Sequence, residues 1–165
     1  ILIVAMNPCP CGYFTDPRRA CKCTPLLIER YLSRISGPLI DRIDIHLEVP
    51  AIAFAELRSD RDGTPSATLR EDVLKARARQ RERFGSDSTM SNSRMTSKLL
   101  RQHCAIDDSG EAVLRQAMSE LGLSARAHDK VLRVSRTIAD LAQKPSIESE
   151  HLLEAIHYRR LDRKL

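Results

Sequence analysis

The chain opens on an unbroken apolar run, Ile1-Leu2-Ile3-Val4-Ala5-Met6, ended by Asn7-Pro8. A short run of this kind predicts a strand buried on both faces, as in a parallel sheet, with a buried helix end as the alternative. Thr24-Pro25 then offers a cap followed by a proline suited to the first helical position. Leu27, Ile28, Tyr31, Leu32 and Ile35 share one face, which predicts a helix of about ten residues. Ser36-Gly37-Pro38 breaks it. Beyond Arg42, the residues Ile43, Ile45, Leu47 and Val49 alternate with Asp44, His46 and Glu48, predicting a second strand that stops at Pro50 and leaves His46 at an edge or on the surface.

A different pattern follows. Arg58 to Ser66 is polar and rich in turn formers, so residues 53–67 read as a linker. Thr68 with Glu71 makes a capping box for a helix that ends near Phe84-Gly85. It carries Arg70, Lys75, Arg77, Arg79, Arg81 and Arg83, either a nucleic-acid contact or, more simply, a solvated face. Residues 86–93 are polar, and a short helix runs through Lys98, Leu99, Leu100 and Cys104. Cys104 beside His103 is read as a buried thiol, because adjacent helical residues point apart. Asp108 and Glu111 open a helix striped by Val113, Leu114, Ala117, Met118 and Leu121 and stopped at Gly122. Ser124 caps the next, striped by Ala127, Val131, Val134, Ile138, Leu141 and Ala142 and ending at Lys144-Pro145. Ser146 begins the last, with Glu148 and Glu150 near its start and Leu152, Leu153, Ala155 and Ile156 inward. The expected fold is mainly α, a helical bundle over 68–165 preceded by a separate region over 1–52.

Composition narrows this picture. Of 165 residues 42% are hydrophobic, but with no Trp, three Phe and three Tyr the core must be aliphatic. No apolar stretch nears the roughly 18 residues of a membrane span, and nothing resembles a signal peptide. We therefore expect a cytoplasmic location and no membrane partner. The run that begins at Ile1 without a preceding cap or turn leads us to expect a portion of a longer polypeptide. A formal charge of +5, from 27 basic and 22 acidic residues, permits contact with DNA without demanding it.

Five cysteines without an export signal argue for thiols or a metal rather than a disulfide scaffold. Cys9-Pro10-Cys11 and Cys21-Lys22-Cys23 form two close pairs. Four thiolates from two knuckles could close a tetrahedral structural Zn2+ site and order a loop of little apolar content. The single residue within each pair is shorter than in ordinary zinc knuckles, so free thiols or oxidised pairs stand beside that reading. A catalytic metal is disfavoured, since four cysteines leave no open position.

Three further residues are singled out. Asn7 sits where the first strand ends, the place at which open α/β sheets bind ligands, or else it bonds the turn backbone. Arg42 offers a rigid fork of donors suited to phosphate or carboxylate; on spacing alone a salt bridge to Asp41 or Asp44 is the simpler reading. Arg126 lies in the first turn of the Ser124 helix, against the helix dipole, and calls for an external anion, with Asp129 as the local alternative. Arg133 and Arg136 either line the same place or face solvent.

Taken together, Ile3-Val4-Ala5-Met6-Asn7-Pro8-Cys9-Pro10-Cys11-Gly12, the Ser36 to Pro50 stretch, Ser124-Ala125-Arg126 and Val134-Ser135-Arg136-Thr137-Ile138-Ala139-Asp140-Leu141 resemble the C-terminal portion of magnesium-chelatase-like AAA+ ATPases. The resemblance covers nearly the whole chain. It implies that residues 1–52 are the incomplete C-terminal part of an AAA+ α/β core and 68–165 its helical lid. It further implies that Asn7 is sensor 1, Arg42 an arginine finger and Arg126 sensor 2. The parent would be a homo-hexamer using ATP and Mg2+ to remodel DNA in uptake and recombination. No Gly-x-x-x-x-Gly-Lys-[Ser/Thr] loop or acidic magnesium-binding strand end occurs in these residues, so this chain alone is expected neither to bind ATP tightly nor to hydrolyse it. The family's central strand is missing as well, so the first fifty residues should lack their pairing partners. A zinc-knuckle and basic helical-bundle module that binds DNA without catalysis is the alternative.

Overall fold

The computed structural model describes residues 1–50, 52, 58, 63–85 and 89–159, and most of the expected 53–67 linker lies outside them. The described residues are mainly helical and include no strand. They divide into two units, Ile1–Ile43 with Leu47–Ser59, and Asp44–His46 with Asp60–Lys164.

In the first unit, α1 (Pro25–Leu32) starts as its local chemistry dictates. Pro25 occupies the first turn and the Thr24 hydroxyl accepts the Leu27 N–H at 3.3 Å. The helix is short and buries no residue. Ser36-Gly37-Pro38 does more than break the chain: it begins α2 (Gly37–Ile40), a single turn with proline in its first positions and Ile40 buried. The two expected strands form no ladder. Ile1, Leu2, Ile3 and Val4 are exposed, as are Leu47 and Val49. A strand is stabilised through a partner's backbone groups and a covered apolar face, and among the described residues nothing supplies either.

In the second unit, α3 (Ser66–Phe84) begins two residues before the expected Thr68. Pro65 is its cap residue and its carbonyl takes the Leu69 N–H at 3.2 Å, so Thr68 and Glu71 lie inside the helix and make no capping box. A 3₁₀ turn (Asn92–Arg94) leads to α4 (Ser97–His103). The cap of α5 (Asp108–Leu121) is Asp107 rather than Asp108, its carboxylate accepting the Gly110 N–H at 2.8 Å, and Gly122 ends the helix in the left-handed region at φ 63°. Ser124 caps α6 (Ala125–Leu141) as expected. Helix α7 (Ser149–His157) starts three residues after the expected Ser146. Glu148 and His151 form its capping box, with the Glu148 N–H donating to His151 Nδ1 at 2.9 Å.

Helix α6 is the centre of this unit, packed by α3, α4, α7 and the 3₁₀ turn, while α5 packs on α7. Val131, Ala139, Leu152 and Ala155 are almost wholly enclosed, and a fully buried Val or Leu contributes about 1.5–3 kcal/mol. The buried face of α6 is not the purely apolar stripe that periodicity predicts. Lys130, Ser135, Arg136 and Asp140 are buried on it, whereas Leu141 is exposed; on α7, Leu153 points outward.

Candidate functional site

The most concentrated chemistry lies in the loop before α1. The chain turns back at Cys9, with the Gly12 N–H donating to the Cys9 carbonyl at 3.0 Å and Gly12 at φ 82°, a conformation that favours glycine. The turn sets Cys9 Sγ 3.3 Å from Cys11 Sγ, and Cys21 Sγ lies 3.7 and 3.6 Å from these two. The Cys23 N–H donates to Cys21 Sγ at 3.4 Å, and the four sulfurs are all within 4.8 Å of one another. A tetrahedron with Zn–S bonds of about 2.3 Å has edges of roughly 3.8 Å; the Cys9, Cys11 and Cys21 separations are near that, and the four thiols are close enough to share one metal ion. The one-residue spacing within each pair is no obstacle.

Their electrostatics agree with this. Backbone N–H groups, first that of Tyr13 and then that of Lys22, hold the Cys11 thiol down at about 6, so it is a thiolate at neutral pH. Burial, with the neighbouring Cys11 and Cys9 sulfurs, pushes Cys23 up to about 12. Four sulfurs this close cannot all carry charge unless a cation compensates.

Glu148, Glu150 and His151 also lie close enough to share an ion. There, however, His151 Nδ1 accepts the helix-capping N–H, Glu148 pairs with Lys144 Nζ at 3.2 Å, and the positive end of α7 opposes a cation. That cluster is a helix cap.

Asn7 is exposed at the entry to the cysteine loop, its side chain against the open face of Gly12, where an added Cβ would come within 3.9 Å of Asn7 Cγ. Arg42 follows α2 directly, exposed, and its Nη1 donates to the Pro38 carbonyl at 2.6 Å. The Asp44 carboxylate accepts from Lys130 Nζ. Arg126 is exposed in the first turn of α6, where Ser124 already caps the Ala127 N–H. Asp129 receives His128 at 3.2 Å and Arg133 at 4.0 Å. The structure thus gathers the four cysteines into one cluster, while Asn7, Arg42 and Arg126 stand on separate elements.

Several basic residues have structural duties that spacing did not reveal. Arg136 is buried, donating to Asp140 and to the Lys144 and Pro145 carbonyls at 2.9 Å each, and Arg133 donates to the Met95 carbonyl at 2.9 Å. Arg136 therefore does not face solvent, while Arg133 keeps 24% of its side chain exposed. Nor is α3 simply a solvated face: Arg79 bonds the Gln143 and Lys144 carbonyls, Arg83 bonds Asp140 and Asn92, and Arg77 bonds Gln80. His46 is buried at 8% exposure rather than at a surface. Cys104 is an enclosed thiol as expected, pushed up to about 11 by burial. Sequence reasoning missed Asn92 and Asp140 as partners; the i, i+4 spacing of Arg136 and Asp140 within a helix was the available signal.

Comparison with known proteins finds relatives along the length of the chain. Residues 1–57 match the family model described as magnesium chelatase, subunit ChlI, and residues 63–159 match that of the subunit ChlI C-terminal region. The chain is 42% identical over 165 residues to the competence protein ComM of Haemophilus influenzae, covering 99% of this chain and 31% of the relative. It is 39% identical over 165 residues to the uncharacterized protein YifB of Escherichia coli, again at 99% and 31% coverage. With Rv2897c, an uncharacterized protein of Mycobacterium tuberculosis, identity is 32% over 158 residues, 96% of this chain and 31% of the relative. The chain therefore spans about a third of the length of these relatives and corresponds to their C-terminal portion.

Proposed function

The chain belongs to the magnesium chelatase ChlI family, and from that premise we propose that it is the C-terminal portion of a ring-forming AAA+ ATPase. The observation that carries this reading is the match of both halves of the chain, in order, to successive models of one family. In this reading residues 1–52 complete an α/β nucleotide-binding core, residues 53–67 link it to the lid, and residues 68–165 are the lid. The exposed apolar side chains of residues 1–4 and of Leu47 and Val49 are what strands awaiting a sheet would present.

Asn7 is assigned as sensor 1, orienting the attacking water. Arg42 is the finger, meeting charge that develops on the phosphoryl group of ATP held by the neighbouring subunit. Arg126 is sensor 2, contacting the phosphates. This chain has no phosphate-binding loop, so ATP and Mg2+ are held by the nucleotide-binding half of the parent. The work coupled to hydrolysis is DNA remodelling in uptake and recombination, as the competence designation of the Haemophilus relative supports, carried out by a cytoplasmic homo-hexamer. No helix of the described residues is long and apolar enough to cross a membrane. The alternative of a free-standing DNA-binding module is weakened because Arg79 and Arg83 are engaged within the fold.

Cys9, Cys11, Cys21 and Cys23 are assigned as the ligands of one structural Zn2+. Four thiolates fill its coordination sphere, so its contribution is to hold the loop between Asn7 and α1, not to activate water.

The test is ATP hydrolysis by the full-length parent. Arg42→Ala and Arg126→Ala should each lower kcat by about 10³-fold or more. Mixing Arg42→Ala subunits with subunits that lack a working phosphate-binding loop should restore part of the activity, because some interfaces then combine an intact finger with an intact nucleotide site. Full activity of the Arg42→Ala ring would remove the finger assignment.

A further inference from the structure

Within the helical unit, the segment that runs from the 3₁₀ turn through α4 is tied to the bundle at short intervals. Asn92 is buried, accepting from Arg83 at 2.9 Å and donating to Asp140 at 2.8 Å and to Thr137 at 3.1 Å. Met95 is buried too, its carbonyl accepting both Nε and Nη2 of Arg133, and Leu100 and Cys104 are enclosed further on. What lies between these anchors is turned outward: Arg94, Ser97, Lys98, Arg101 and Gln102 are exposed.

The surface displayed in this way carries one sign of charge. From Thr89 to Ile106 the sequence contains no Asp or Glu. The side chains of Arg94, Lys98 and Arg101 make no hydrogen bond or ion pair among the described residues, whereas Lys75, Arg115 and Lys144 each pair with a carboxylate. Carboxylates packed near the segment are already countered. Asp140 is fully buried against Arg83 and Arg136. Glu111 and Asp129, which line an open groove together with Arg101, hold Arg115 at 3.7 Å and His128 at 3.2 Å.

Three uncompensated cations on a backbone fixed by buried anchors suit an anionic partner. A protein partner would need an apolar centre to its interface, but Met95, Leu100 and Cys104 face inward, and the outward set is cations with hydroxyl and amide groups. Those are the groups that contact phosphate and sugar in nucleic acids. Lys98 and Arg101 stand about 4.5 Å apart along the α4 axis, so their long side chains can reach neighbouring phosphates, which follow one another at about 3.4 Å along the axis of a duplex strand.

We infer that the surface formed by Arg94, Lys98 and Arg101 binds the phosphate backbone of DNA without reading its sequence. The inference rests on the reading of the parent as a DNA-remodelling ATPase, and it puts a DNA contact on the lid through residues that take no part in hydrolysis.

The experiment measures binding of a fluorescent duplex oligonucleotide by the full-length parent from about 50 to about 200 mM salt, with DNA-free ATP hydrolysis recorded on the same preparations. Arg94→Gln, Lys98→Gln and Arg101→Gln together should raise Kd at least about tenfold at the lower salt and reduce the slope of log K against log salt by about 3, nearly one for each lost phosphate contact. Lys75→Gln, Arg115→Gln and Lys144→Gln together remove the same charge from cations that already have partners, and should change the slope by less than about 1. DNA-free hydrolysis should be unchanged in both. Each single substitution in the first set should give about a third of the slope change, which keeps the measurement available if the triple variant fails to fold. An unaltered slope in the first set, or an equal loss in the second, would overturn the inference and leave DNA remodelling standing. Unaltered DNA binding with lost affinity for polyglutamate would overturn it in favour of an acidic protein partner. A wild-type parent that binds no DNA would remove the inference together with the DNA reading, whereas the expected slope change in a parent that hydrolyses no ATP would sustain the contact and remove the ATPase reading.

Discussion

Arg83, at the end of α3, grips Asp140, at the end of α6, with both arms of its guanidinium, at 2.5 and 2.8 Å. Asp140 has no exposed side-chain surface, and it also receives Asn92 at 2.8 Å and Arg136 at 3.0 Å. The far side of the junction is closed by Arg79 and Arg136, which bond the Gln143, Lys144 and Pro145 carbonyls after α6. These are carbonyls of the loop beyond the helix, which has no ladder of its own to pair them.

Removing the carboxylate while its arginines stay buried is the costly case. Asp140→Ala should therefore destabilise the helical unit by about 3–5 kcal/mol in denaturant unfolding. Arg83→Ala, whose side chain is more exposed, should cost less. Equal, small effects would mean that the network is weak.

The same site sets a pH dependence. Burial alone would raise the Asp140 pKa, but the hydrogen bonds from Arg83 and Asn92 and the charge of Arg136 more than offset this and hold it below its ordinary 3.8. A lowered pKa in the folded state means stabilisation that is complete above about pH 4 and lost as pH falls below it. Wild-type stability should therefore fall in that acid range, and Asp140→Asn should flatten this part of the profile.

Gly110 sets two general effects against each other. Alanine in a helix is favoured over glycine by about 1 kcal/mol, yet a Cβ here would lie 2.9 Å from Leu152 Cδ1 and 3.2 Å from Asp107 Oδ1 and Ile106 Cβ. Leu152 is fully buried and has little room to withdraw. Packing should win, and Gly110→Ala should destabilise by about 1–2 kcal/mol; a higher Tm would show that the α5–α7 contact can give.

Thiol reactivity separates the cysteines. With metal stripped by chelator, iodoacetamide at pH 7 should modify Cys11 first, since its pKa is about 6, while Cys23, pushed up to about 12, and Cys104, pushed up to about 11 and enclosed, should react slowly. Peptide mass spectrometry gives the order. Added Zn2+ should protect all four loop cysteines and leave Cys104 unchanged.

The zinc assignment has its own stoichiometric check. Protein purified under reducing conditions should carry one Zn2+ per chain by elemental analysis, and Cys23→Ser should lower that below half. Unchanged zinc in Cys23→Ser would exclude the four-thiolate site.

Local rules explain what could be read without the fold. Caps at Thr24 and Ser124 and stops at Gly85 and Gly122 depend on residues within one turn, so the sequence by itself determined them. It also carried the cysteine pairs and the family, because both are written in short contiguous motifs. Helix starts at Pro65, Asp107 and Glu148 differed from expectation by one to three residues, since several candidate caps stood side by side and tertiary packing chose among them. Only the tertiary structure decided the rest: that Arg83 and Asp140 would meet across 57 positions, that Lys130 would be buried against Asp44 across 86, and that His46 would be covered while Ile45 was not. A charged side chain looks alike in sequence whether it meets water or a buried partner. The difference is made by which distant element displaces the water, and no local periodicity encodes that.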